Sequence, residues 1–183
     1  MRHDSRIRAR AKVQAADLGQ AAARWQQLFH RIATNRSVAQ AVGSGDTKRM
    51  NRLLAPLLFG CRSQGFGCDE NGEHCWGTVT CCIFFGLRFC IIVTNPSPSQ
   101  IVRLQKTAAR FRALAERLAT NELFTAKFMK ALLSGNKGRL TALLRVIELG
   151  PCRVIVDPDR VTICCDISPA RMICLVIFRP SPR

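Results

Sequence analysis

Apolar residues in this chain follow two different periods, one after the other, and do so twice. Leu18, Ala22, Trp25, Leu28, Phe29 and Ile32 recur at the spacing of one helix face, as do Leu104, Ala108, Phe111, Leu114, Ala115 and Leu118. Arg103, Lys106, Arg110 and Arg117 fall off the second stripe and belong to its solvent side. A further helix is expected after Asp46 and again after Asn136, both good N-cap residues, ending near Gly60 and Gly150.

Extended segments come next. Cys152–Val156, Arg160–Cys165 and Met172–Phe178, parted by turns at Asp157-Pro158-Asp159 and Ser168-Pro169, read as three strands. Trp76–Phe85 and Leu87–Val93 match the last two of them. These strands do not alternate as a sheet with one wet face should. Cys81–Phe85 and Met172–Phe178 are apolar on both faces, while helices can cover only one. The other face must therefore meet the second unit's sheet, packed face to face, or another molecule.

The two passages align residue by residue. Arg24-Trp25, Leu28 and Arg31 to Asn35 match Arg110-Phe111, Leu114 and Arg117 to Asn121; Ser44-Gly45-Asp46 matches Ser134-Gly135-Asn136. Cys81-Cys82 matches Cys164-Cys165, Cys90 matches Cys174, and Asn95-Pro-Ser-Pro98 matches Arg179-Pro-Ser-Pro182, at offsets of about 83–91 residues. The expected fold is thus α+β: a tandem duplication, each unit two helices followed by a three-stranded antiparallel β-meander. Residues 1–14 form a basic N-terminal tail, 15–98 the first unit and 99–183 the second.

Composition sharpens this picture in two ways. Lys and Arg number 28 against 12 Asp and Glu, a net charge of +16, and 22 of the 28 are arginine. Polyanions such as nucleic acid are natural partners for such a chain. No acidic residue occurs between His74 and Ala115, which makes Arg88, Arg103, Lys106, Arg110 and Arg112 candidate polyanion contacts. No apolar run is long enough to cross a bilayer, and no signal-peptide h-region follows the charged N-terminus, so cytoplasmic synthesis without membrane insertion is expected.

Ten cysteines are the second feature. Cys61, Cys81, Cys82 and Cys90 correspond to Cys152, Cys164, Cys165 and Cys174, and each Cys-Cys pair must point its two sulfurs to opposite faces. The inward sulfurs are expected in the core or bonded to Cys90 and Cys174; the outward ones are free to bridge units or molecules. Cys68 and Cys75 flank an Asn71-Gly72 turn and face each other across a hairpin. Cys61, Cys68, His74 and Cys75 lack the short chelating pairs of a structural zinc site, and no metal or cofactor is expected.

Phosphate-binding loops, nucleophile elbows and zinc-protease motifs are absent, and the second unit has no histidine. These features favour a non-enzymatic structural protein, a homo-oligomer or polymer that self-assembles through apolar sheet surfaces and is reinforced by disulfides. A bacterial filament, shell or spore-surface component, oxidised after release from the cell that made it, would fit. The competing expectation is a basic nucleic-acid- or polyanion-binding module.

Overall fold

The computed structural model describes residues 2–44, 46–57, 60–66, 70, 77–84, 87–94, 100–147, 149, 152–168 and 171–179; within these, the side chains of 2–13, 66, 84, 166–168, 171 and 172 are not described. Among the described residues the chain is α+β, with six α-helices and one six-stranded antiparallel sheet. The helices are α1 (Arg2–Thr34), α2 (Arg36–Ser44), α3 (Thr47–Leu54), α4 (Ile101–Thr120), α5 (Glu122–Ser134) and α6 (Lys137–Arg145). The strands are β1 (Cys61–Phe66), β2 (Gly77–Phe84), β3 (Leu87–Thr94), β4 (Cys152–Val156), β5 (Arg160–Ser168) and β6 (Arg171–Phe178). Helix α1 begins at Arg2, so the stretch expected as a tail is continuous with the first helix.

Three helices precede each group of strands where two were expected. The chain breaks and restarts at Asn35 and Asn121. The Asn35 side chain accepts from the Val38 amide at 3.1 Å and the Asn121 side chain from the Phe124 amide at 2.9 Å. Each asparagine ends one helix and caps the next, so a single apolar run covers two helices. The caps foreseen at Asp46 and Asn136 form as expected, accepting from the Arg49 and Arg139 amides at 2.8 and 2.9 Å. Helices α3 and α6 stop well before the glycines expected to end them.

Helix α5 closes on Gly135, which adopts a left-handed φ of 62°. A Cβ there would lie 2.6 Å from the Arg179 guanidinium, which folds over the helix end from the far end of the chain. Backbone strain at the positive φ opposes any larger residue, while the guanidinium, at the end of a flexible side chain, can swing aside at little cost. Gly135→Ala should cost about 1–2 kcal/mol. A urea titration followed by circular dichroism reads this directly; an unchanged midpoint would show that Arg179 and the helix end relax freely.

The sheet order is β1-β2-β3-β6-β5-β4. The two groups of strands meet at their edges, through antiparallel pairing of Phe89–Val93 with Ile173–Ile177. This replaces the expected face-to-face packing. It makes β3 and β6, apolar on both faces, the two central strands of the sheet. Phe89, Ile91 and Val93 face Ile177, Leu175 and Ile173 along the seam, all buried.

One face of the sheet carries the helices. Helices α1 and α4 pair antiparallel, shown by Gln105 Nε2 donating to the Ala33 carbonyl at 3.1 Å at one end and a Gly19–Leu118 backbone approach at the other. Phe29 stacks on Phe111 with centroids 5.2 Å apart, and Trp25 meets Phe89 of β3 edge-on at 4.5 Å. The periodic residues of both stripes are buried there, in one core shared by both halves. The threonine hydroxyls on this side are satisfied, Thr78 donating to the Val42 carbonyl at 3.0 Å and the Ser63 and Thr80 hydroxyls bonding at 2.9 Å. The buried Trp25 Nε1, by contrast, has no hydrogen-bond partner among the described residues.

Candidate functional site

Strand register decides what lies on the opposite face. Side chains alternate along a strand, so every residue directly opposed to an open-face residue shares that face. Core residues Cys82, Phe89, Ile177, Val161 and Val154 mark the helix side. Their neighbours in sequence therefore form two rows across the whole sheet. The first runs Arg62–Cys81–Cys90–Val176–Thr162–Ile155 and the second Arg153–Cys164–Cys174–Ile92–Val79–Gln64. Read from their arginines, the rows run in opposite directions and match chemically: arginine, two cysteines, an aliphatic residue, a small β-branched residue, then an exposed edge position.

Each row is welded by a disulfide between its adjacent cysteines, Cys81–Cys90 and Cys164–Cys174. On the helix side, Cys61–Cys82 and Cys152–Cys165 join the outer strand pairs in the same fashion. Every group of three strands is thus laced on both faces. The expected pairing is corrected here in two respects. Cys90 and Cys174 take the sulfurs of the open face, while the inward sulfurs of Cys82 and Cys165 bond to Cys61 and Cys152. No outward sulfur remains to bridge units or molecules, since among the described residues no cysteine is free. The reason is register: in an antiparallel pair only directly opposed residues bring their Cβ atoms into bonding range.

Cys68, His74 and Cys75 lie outside the described residues. Cys61, the fourth candidate for a metal, is committed to Cys82. Among the described residues no cluster of His, Cys, Asp or Glu could hold a metal ion, and no helix is long and apolar enough to cross a membrane.

Exposure on this face is uneven. Cys90, Cys164, Cys174 and Val176 at the centre are buried, Val79 and Ile92 are half-buried, and Ile83 and Ile155 toward the margins are 62% and 47% exposed. Arg88 of β3 lies directly beyond the first row, its guanidinium 4.5 Å from the centroid of the Phe178 ring on β6. That contact ties the two halves together across the seam on the open face. Arg160 sits beside Phe178 on β5 and pairs with Asp157 at 3.1 Å across the turn that precedes it.

The cationic candidates are split between three places. Arg88 is on the open sheet face. Arg103, Lys106 and Arg110 line one exposed flank of α4, joined by Arg117, and Arg110 reaches the Leu149 carbonyl at 3.4 Å. Arg112 points the other way, toward α1, where its Nη1 lies 3.0 Å from His30 Nδ1. His30, Arg112 and Glu116 line a shallow polar cleft of about 570 Å³ with Gln26 and Gln27. A second cleft of about 720 Å³ continues along α1 toward α5, lined by Gly19, Leu118, Leu123 and neighbouring alanines.

Sequence reasoning missed the Arg112–His30 contact because its partners are 82 residues apart. It also missed the exposure of Ile83 and Ile155, although both share the parity of cysteines or arginines that are outward in register. No family model, curated protein or solved structure matches this chain.

Proposed function

We propose that the chain is a tandem duplication of a helical segment and a three-stranded β-meander, and that it serves as a non-enzymatic structural protein. The units join at β3 and β6, and further copies associate through the sheet face that carries none of the described helices. The observation that carries this reading is the pair of matching rows on that face, each with an aliphatic centre, a cross-strand disulfide and an exposed margin. The recurring element order and the equivalent disulfide positions support the duplication.

An apolar sheet face is the kind of surface that proteins bury against a like surface. The disulfides stiffen it, because cross-linked neighbouring strands cannot shear apart when a second layer packs on them. Such bonds form and persist in an oxidising setting. A filament, shell or spore-surface component would meet these conditions.

Sedimentation velocity separates this reading from its rivals. The parent chain should sediment as a species well above its 20.4 kDa mass. Ile83→Lys combined with Ile155→Lys should return it to a protomer with unchanged circular dichroism, because both side chains already reach solvent and a lysine there stays hydrated. A parent chain that sediments as a compact protomer at every concentration would overturn the proposal.

A further inference from the structure

Helix α4 carries a second chemistry on the flank opposite Arg112. Arg103, Lys106, Arg110 and Arg117 occupy positions i, i+3, i+7 and i+14 of one helix. At 3.6 residues per turn they fall within about 60° of arc and along about 21 Å of axis. All four are exposed. The one carboxylate of α4, Glu116, is on the other flank, in the cleft with His30 and Arg112.

Arg110 and Arg117 are held in position. Arg110 donates to the Leu149 carbonyl, and the Arg117 guanidinium lies 5.6 Å from the centroid of the Phe124 ring. Anchoring reduces the side-chain entropy that binding would otherwise have to remove. The aromatic residues beneath the flank, Phe111 and Phe124, are buried, so no ring is presented on which a base could stack.

We propose that this flank binds the phosphate backbone of a nucleic acid without reading its bases. A row of cations spaced along one line matches a linear polyanion, and the arginine fork takes phosphate oxygens in pairs. The chain's net charge of +16 adds long-range attraction. This site is separate from the sheet face. Binding is therefore measured on chains that all carry Ile83→Lys and Ile155→Lys, so that failure of assembly and failure of binding are read apart.

The experiment is fluorescence anisotropy with a labelled duplex of about 20 base pairs across a salt series. Arg103→Gln, Lys106→Gln and Arg110→Gln together should weaken binding about ten-fold or more at low salt. They should also lower the slope of log affinity against log salt by about 3, close to one unit per lost phosphate contact. Arg36→Gln, Arg49→Gln and Arg52→Gln remove the same charge from exposed positions on α2 and α3 and should change affinity far less. Arg103→Lys with Arg110→Lys keeps the charge and should keep the salt slope while losing less affinity than the glutamine set. The remaining loss is that of the paired contacts, which separates lost charge from a disturbed fold. Equal losses from the two glutamine sets would show that only global charge matters and would overturn the site. So would polyglutamate displacing the duplex at matched charge, since the flank would then hold carboxylates as readily as phosphates.

Discussion

A chain carrying Cys164→Ala and Cys165→Ala is expected to unfold in buffer that leaves the parent chain fully folded. The two substitutions remove both disulfides of β4, β5 and β6, Cys164–Cys174 on the open face and Cys152–Cys165 on the helix side. The bonds span 10 and 13 residues of sequence. Loops of that length restrict the unfolded chain by about 3 kcal/mol each, so the pair contributes about 6 kcal/mol. Whole domains are stable by about 5–15 kcal/mol. Urea unfolding followed by circular dichroism checks this. Cys68→Ser with Cys75→Ser, which removes cysteines belonging to only one half, should shift the midpoint less. A larger shift from that pair would mean the strand disulfides are not the framework of the fold.

Ile173→Lys is expected to abolish folding altogether. Ile173 is fully buried on the helix side of β6, opposite Val93 at the seam of the two halves. A lysine there loses the packing of a core isoleucine and places an ammonium in an apolar core, a cost of several kcal/mol. The neighbouring Cys174→Lys acts differently: position 174 is on the open face, and the change removes the bond to Cys164. That chain loses the disulfide, about 3 kcal/mol, and its lysine must extend from a position buried in the protomer to reach solvent along the open face. It should be destabilised by more than the disulfide alone yet keep its helical circular dichroism, while sedimenting as a smaller species than the parent. If both variants unfolded alike, the open face would be as deeply committed to the protomer's own core as the helix side.

Local chemistry carried the sequence reading a long way. Periodicity placed the buried faces of α1 and α4, Asp46 and Asn136 marked helix starts that form as read, and the limits of β4 match its sequence to the residue. The asparagines at 35 and 121 held the same kind of signal, but the apolar run continues past them and hides the break. Cysteine parity was legible too, because alternation along a strand is a property of the backbone alone.

The amino-acid sequence by itself therefore determined most of the elements, though not the helix breaks at Asn35 and Asn121 or strand β1, together with the faces α1 and α4 bury and the alternation of the adjacent cysteines. Tertiary structure decided how those faces were used. Both β3 and β6 are apolar on two faces, which does not say which strands they pair with; hydrogen bonding at the seam makes them the two central strands of one sheet. Which cysteine meets which, which arginines line up on α4, and that Arg112 turns away to His30 depend on register and helix pairing between residues distant in sequence. Such contacts are set by the fit of whole surfaces, and no local pattern encodes them.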